Sequence, residues 1–333
     1  GDSDPEATAL SGASGNWVVA MSTGSGVYLQ IMNSNGGPVG GQIIINPSGN
    51  QFDPVITALD DDGFVVSYTD NSSGDDQIFA QIHNSDGSVR APAFLVGSSG
   101  ANNQPAIAAL PNPNWAVVYS DTGWAAGDGL TLQIFNGNGV QQGDLIRVDA
   151  NFAAVEQDPD ITVLANGFIV VSWTHPSGPG DNDILARIFD SNGAPIEIDG
   201  STAPFIITAS IGNDRDASIS SLFDGVFGTV WTDDETDGDG DGINGEISQL
   251  ARVTIGDETD NVLIGDALRD TLFGGGGGDT IVGGAGGDFL DGRAGGDTMS
   301  AARVMTAIWS TMRWTWSTKS APAPVEPIRC FRP

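Results

Sequence analysis

Asp53-Pro-Val-Ile-Thr-Ala-Leu59, followed after a short turn by Gly63-Phe-Val-Val-Ser-Tyr-Thr69, decides the fold because it recurs. It returns as Gln104-Pro-Ala-Ile-Ala-Ala-Leu110 with Trp115-Ala-Val-Val-Tyr-Ser120, and again as Asp158-Pro-Asp-Ile-Thr-Val-Leu164 with Gly167-Phe-Ile-Val-Val-Ser-Trp-Thr174. A shorter first copy starts at Asp4-Pro5, and a degenerate fifth runs from Asp216 through Leu222 to Trp231. Aligned on the proline position the copies begin near 5, 54, 105, 159 and 217. Self-similarity at a period of roughly fifty residues signals a repeat architecture.

Each copy holds four short apolar stretches rich in β-branched and aromatic residues, divided by Gly, Asn, Asp and Ser, which reads as four strands joined by turns. In the second copy the expected strands are Val55–Leu59, Phe64–Thr69, Ile78–His83 and Phe94–Val96. The connection Asn84-Ser-Asp-Gly87 recurs as Asn33-Ser-Asn-Gly36, Asn136-Gly-Asn-Gly139 and Asp190-Ser-Asn-Gly193, each ending in a glycine able to take the positive φ that a hairpin needs. Four antiparallel strands at this period are the pattern of a β-propeller blade. A row of small sandwiches is the competitor, and about fifty residues is too few for a self-sufficient sandwich core. The fold class expected is therefore all-β, a β-propeller-like array of five four-stranded repeats over residues 1–256. Copy five offers three strands (Ser218–Leu222, Val226–Thr232, Ile247–Ile255) before a glycine-rich region begins. The chain starts at Gly1 without Met and without a charged-then-apolar leader, and reads as a fragment or a processed form. A strand upstream of Gly1 is expected to complete the fifth blade.

Among the 333 residues, 43 are acidic and 12 basic, a net charge of −31. Such a balance argues against nucleic acid or an anionic membrane as partner and makes cations the natural counter-species. Most individual Asp residues read as solvated surface charge. Cys330 is the one cysteine, so no internal disulfide can form. No apolar run reaches the ~18 residues of a membrane span, and no membrane insertion is expected.

From Gly265 the chain falls into a second, shorter register: Gly265-Asp-Ala-Leu-Arg-Asp270-Thr-Leu-Phe, Gly274-Gly-Gly-Gly-Gly-Asp279-Thr-Ile-Val, Gly283-Gly-Ala-Gly-Gly-Asp288-Phe-Leu-Asp and Gly292-Arg-Ala-Gly-Gly-Asp297-Thr-Met-Ser. An apolar residue (Leu272, Ile281, Leu290, Met299) follows each Asp by two places. Six residues suit a glycine-permitted turn that aims carbonyls and one carboxylate at a cation, and three suit a short strand with its apolar side chain inward. The pattern resembles the hemolysin-type (RTX) calcium-binding repeat, Gly-Gly-x-Gly-x-Asp-x-apolar-x. That resemblance implies a short calcium-binding parallel β-roll, assigned here to residues 257–300, with Ca2+ as the cofactor and each ion held between repeat n and repeat n+2. It pairs turn 274–279 with turn 292–297, giving Asp279 and Asp297 with carbonyls drawn from Gly275, Gly277, Gly284, Gly286 and Gly295 across the array. Asp270 and Asp288 make a second, poorer pair, because Ala267, Leu268 and Arg269 stand where the family has small residues. Strands this short bury too little to order so many glycines, so without calcium the segment is expected to be unfolded.

The stretch Asp233-Asp-Glu-Thr-Asp237-Gly-Asp239-Gly-Asp241-Gly-Ile-Asn-Gly-Glu246 has Asp at alternate positions but does not fit the twelve-residue EF-hand loop. A solvated blade loop and a second metal loop at Asp237, Asp239 and Asp241 both remain open readings. After Ser300 the chain changes character: residues 301–333 hold five of the twelve basic residues, three of the eight Trp and Cys330. Read one nucleotide out of step, codons for Arg303 to Lys319 allow Gly-Asp-Asp-Gly-Tyr-Met-Val-Asp-Asn-Ala-Val-Asp-Met-Val-Asp-Glu, which resembles a continuation of the repeats. A frameshift near residues 300–303 is the expected cause, and 301–333 is read as an aberrant, disordered tail. Proteins resembling this one leave the cell in one step through a C-terminal signal, so the family implies a secreted, extracellular protein whose export signal is lost in this version.

Catalysis finds no local motif. His83 and His175 lie in different copies, so the zinc-protease helix motif is absent, as are a Gly-x-Ser-x-Gly elbow and a phosphate loop. No carboxylate pair is singled out for glycosidase chemistry. The expected function is a secreted calcium-binding protein, not an enzyme, whose repeat domain serves adhesion or recognition of a cell-surface glycan or protein. Exposed aromatics such as Trp124 are candidates for stacking on sugar rings. The alternative is part of a secreted hydrolase, a protease or glycosidase, with its catalytic domain upstream.

Overall fold

All described regular elements are β-strands, as the alternating β-branched and aromatic runs demand. The computed structural model describes residues 3–309 apart from 12–14, 24–25, 46–49, 98–101, 123–128, 150–155, 166, 197–200, 209–211, 224, 235–241, 250–251, 266–269, 285–287 and 301–306. No helix is long and apolar enough to cross a membrane among the described residues. The chain divides into two units, residues 1–221 with 228–247 and residues 222–227 with 248–333.

The first unit is a succession of antiparallel sheets, each with its strands in sequence order. Sheet one holds β1 to β4 (Ser3–Ala9, Trp17–Thr23, Gly26–Met32, Pro38–Ile44) and sheet two β5 to β8 (Gln51–Ala58, Phe64–Asp70, Gln77–His83, Val89–Leu95). Sheet three holds β9 to β12 (Asn102–Ala109, Trp115–Asp121, Gly129–Phe135, Gln141–Arg147) and sheet four β13 to β16 (Gln157–Val163, Ile169–Gly178, Asp181–Phe189, Phe205–Ile206). Sheet five has three strands, β17 to β19 (Arg215–Phe223, Val226–Asp233, Gly242–Gln249). The first strands lie side by side, β1 against β5, β5 against β9 and β9 against β13. Beyond them, Asp160 on β13 accepts the Ile219 N–H of β17 at 2.8 Å. This is the propeller-like arrangement, with first strands innermost.

The core sits between successive sheets. Val18, Leu29 and Ile31 meet Ile56, Phe64 and Val66, while Val65, Ile78 and Ile82 meet Trp115, Val117 and Tyr119 on the other face of sheet two. A second strand is thus buried on both faces, and every residue of Phe64–Asp70 is buried rather than every other one. The hairpin glycines Gly36, Gly87, Gly139 and Gly193 all take positive φ, and in each loop the glycine N–H bonds the carbonyl three residues back, as Gly87 does to Asn84 at 2.9 Å. A feature invisible in the sequence pattern accompanies the prolines. Asp53, Gln104, Asp158 and Asp216, each just before the proline position, have φ of 47, 53, 50 and 54°, and in copies two to four the ladder slips there, as between Phe52 and Val55. These bulges lie at the same end of the inner strands of copies two to four.

The second unit is a parallel roll. One wall is β20, β22, β25 and β28 (Arg252–Ile255, Asp270–Phe273, Phe289–Asp291, Ala307–Trp309), the other β21, β24 and β27 (Val262–Ile264, Thr280–Val282, Thr298–Ser300). The short β23 and β26 (Gly276–Gly277, Ala294–Gly295) pair within the turns. Leu263, Leu272, Ile281 and Leu290 are buried in one column, with Met299 against it. The structure corrects the sequence reading twice here. Ile247–Ile255 is not the third strand of copy five: that strand is Gly242–Gln249, and Arg252–Ile255 pairs in parallel with Asp270–Phe273. Gly256–Ile264 is a further coil of the roll, because Leu263 completes the inner column and Val262–Ile264 pairs with Thr280–Val282. In the tail, Ala307–Trp309 continues the wall in register with Phe289–Asp291; the rest of 301–333, Cys330 included, lies outside the described residues.

Candidate functional site

In the roll, coils two apart stack turn on turn. Gly276–Gly277 pairs with Ala294–Gly295, bringing turn 274–279 onto turn 292–297. Gly275 and Gly277 both have φ of 99° and Gly295 147°, conformations closed to most side chains. A Cβ on Gly275 would strike the Asp257 carbonyl, and one on Gly295 the Gly277 carbonyl. The repeat carboxylates form columns: Asp297 Oδ1 accepts the Asp279 N–H at 3.1 Å, Asp279 Oδ1 accepts the Asn261 N–H at 2.8 Å, and Asp288 Oδ1 accepts the Asp270 N–H at 3.1 Å. All four repeat Asp residues are buried, from 0 to 8% exposed.

Those carboxylates test whether the turns suit a cation. Asp279 and Asp297 each keep a buried Oδ2 with no hydrogen-bond partner, a costly arrangement for an anionic oxygen unless a positive ion supplies the missing interaction. No cluster of three or more His, Cys, Asp or Glu side chains that could hold a metal exists among the described residues, so the remaining donors in such a site would be backbone carbonyls. An oxygen-only set of one carboxylate per turn plus carbonyls fits calcium. Gly284 takes positive φ as expected of a turn glycine, whereas Gly286 and the loop residues Asp237, Asp239 and Asp241 lie outside the described residues, as does Trp124.

The blades hold a second constellation, which motif searching missed. At the bulged end of blades two to four a cavity of about 400 Å³ is lined by Phe52 and Asp53 (β5), Gln104 (β9), Ser120 and Asp121 (β10), Gly129 (β11), and Glu156 with Gln157 at the start of β13. Gln104 Nε2 donates to Asp158 Oδ1 at 2.6 Å across two inner strands. Asp121, itself buried, accepts the Thr131 hydroxyl at 2.9 Å. Glu156 is 1% exposed, and both its carboxylate oxygens contact His175 Nδ1, at 2.9 and 3.1 Å. Burial pushes the Glu156 carboxyl up to about 7, against the opposing pull of the His175 hydrogen bond. Behind the cavity Arg147 grips Asp149 with two bonds of 2.8 Å. The position of Glu156 is a repeat position: Gln51 stands three residues before Pro54 and donates to Asp70 at 2.9 Å, and Asn102 pairs in register with Asp121. Only in copy four does this cross-strand latch become a carboxyl and an imidazole, a break in the internal repeat that is readable in the sequence. His83, by contrast, is structural: it is fully buried, stacks on Phe64 at 5.1 Å and bonds the Gly87 carbonyl at 2.9 Å.

Comparison with known proteins bears on the turns of the roll and on the fold of the blades. The family profile of the RTX calcium-binding nonapeptide repeat, in four copies, matches residues 255–290 and 264–299. The chain therefore carries RTX calcium-binding repeats, beginning one coil earlier than Gly265. Comparison with curated protein sequences gives no match. Among solved structures, a protein of unknown function from Dyadobacter fermentans is similar at 13% identity and a TM-score of 0.53, over 75% of this chain and 77% of that one. An endo-arabinase from Bacteroides thetaiotaomicron is similar at 10% identity and a TM-score of 0.43, over 71% and 89%. A thermostable family-43 glycoside hydrolase is similar at 13% identity and a TM-score of 0.43, over 75% and 89%. The solved structures similar in fold include an arabinase, a family-43 glycoside hydrolase and a xylosidase, each at 14% identity or below; the likeness is one of fold, and it runs against the expectation of a non-catalytic chain. Its physical weakness is plain in the fold. Short motifs find groups close together in the chain, whereas blades bring together residues one repeat apart.

Proposed function

We propose that the protein is an extracellular, calcium-stabilised hydrolase whose blades act on glycosidic bonds and whose roll is the calcium-dependent module. This is the hydrolase alternative with the catalytic groups in the blades rather than upstream. The observation that supports it is the cavity at the bulged end of blades two to four, lined by both Glu156 and Asp121. Glycoside hydrolysis needs one carboxyl that still holds a proton at working pH and a second that is ionised. Glu156, raised to about 7, is the candidate proton donor, and Asp121 the candidate second carboxylate. The amides of Gln104 and Gln157 and the ring of Phe52 supply the hydrogen bonds and apolar face that a sugar uses. The RTX repeats support an extracellular setting, where calcium is plentiful.

The test is hydrolysis of a panel of aryl glycosides and polysaccharides by the full chain in millimolar calcium. Activity that falls by about a hundredfold or more in both Glu156→Gln and Asp121→Asn, with unchanged circular dichroism, is the expected result for loss of an acid–base partner. Hydrolysis that survives both substitutions, or no hydrolysis across the panel, defeats the reading.

A further inference from the structure

The coil Gly256–Ile264 differs from those that follow it in how its turn is closed. Asp257 Oδ1 accepts the Thr259 N–H at 2.9 Å, the Thr259 hydroxyl at 2.6 Å and the Asn261 side-chain amide at 3.1 Å. Asn261 Oδ1 in return accepts the Asp257 N–H at 2.8 Å. These bonds hold the Asp257 carboxyl below its usual range. Asn261 occupies the place where the later coils carry Asp270, Asp279, Asp288 and Asp297, so a neutral amide bonded within its own turn replaces a buried carboxylate. Asp279 and Asp297, in contrast, each retain the orphan oxygen described above.

The same coil presents a complete edge to its neighbour. The Asp257 carbonyl accepts the Gly276 N–H at 2.8 Å, the Asp260 carboxylate accepts the Gly278 N–H at 2.7 Å, and the Asn261 carbonyl accepts the Thr280 N–H at 2.8 Å. A stack of coils that each need a neighbour is hardest to start, since the first coil is ordered before any stacking rewards it. A coil whose turn is tied by its own side chains lowers that initial cost.

We propose that Gly256–Ile264 is a starter coil that closes without a cation and templates the calcium-dependent coils from turn 274–279 onward. Asp257 and Asn261 are its positioning residues. The inference concerns assembly of the roll and is independent of the glycosidase reading.

The experiment is hydrogen–deuterium exchange on the full chain with and without calcium, joined to a calcium titration that counts bound ions. In chelator, amides of 257–264 are expected to exchange about tenfold or more slowly than those of 275–297, the ratio that about 1.4 kcal/mol confers. The double variant Asp257→Ala/Asn261→Ala is expected to raise the calcium midpoint of roll folding by about tenfold, the loss of one or two hydrogen bonds, with the number of bound ions unchanged. Asp297→Asn is expected to lower that number. Equal exchange of the two segments in chelator overturns the proposal, and so does an unmoved midpoint or a double variant that binds fewer ions, since the coil would then itself be a ligand.

Discussion

Glu156 is the proposed proton donor of the blades and titrates far from its ordinary range. Its carboxyl keeps its proton in the folded state up to about pH 7, well above its ordinary 4.5. The folded state therefore binds a proton that the unfolded chain has released, and this contribution to stability is complete below pH 4.5 and lost as pH rises through 7. A shift of this size corresponds to roughly 3 kcal/mol. Glu156→Gln, which keeps a donor and an acceptor but no titration, should flatten the pH dependence of stability between 4.5 and 7, as followed by urea unfolding at a series of pH values. A mutant with the same slope as the parent would show that Glu156 is not the group responsible. Sequence reasoning passed over this residue because one carboxylate among 43 acidic groups looks like any other until its neighbours are known. Aligning the copies at Gln51, Asn102 and Glu156 was the signal available.

At the scale of elements, the turn and the inner strand behave differently. Turn glycines in the roll are needed for space as much as for backbone freedom: at Gly275 and Gly295 a carbonyl of the coil two before occupies the volume of a Cβ. Gly295→Ala should abolish the calcium-induced rise in β structure, measured by circular dichroism, while leaving the blades' own signal intact. In the blades the second strand carries the packing. Trp115 is fully buried, stacked on Phe135 at 4.7 Å, with its indole N–H on the Asn136 carbonyl at 3.2 Å. Trp115→Ala should cost about 3–5 kcal/mol of blade stability in urea unfolding. The strands themselves were legible, as Phe64–Asp70 against the expected Phe64–Thr69 illustrates. Gly256–Ile264 was not, because Asn261 hid the repeat behind an acidic turn with one glycine; the family profile and the position of Leu263 in the inner column expose it.

For the whole molecule, two units with different sources of stability predict two responses. The blades bury their aliphatic and aromatic side chains between sheets, whereas the roll buries carboxylate oxygens without hydrogen-bond partners, which on the proposed reading a cation satisfies. Calorimetry in chelator should remove or strongly lower one transition and leave the other, and restoring calcium should raise only the first, with a midpoint that climbs with calcium concentration. A single transition insensitive to chelator would contradict a cation-dependent roll. Two periodicities determined this much from sequence alone: roughly fifty residues set the blades, and a shorter register of glycines and Asp set the calcium roll. Each repeat is a local unit whose strands and turns are specified within it. What the tertiary structure decided is where copies meet. The cavity of Asp121 and Glu156 joins residues from three blades, and the coil Gly256–Ile264 is joined to the coil 18 residues on by bonds such as Gly278 N–H to the Asp260 carboxylate. Contacts between repeats depend on how one copy differs from the next, and those differences acquire meaning only when the copies are stacked.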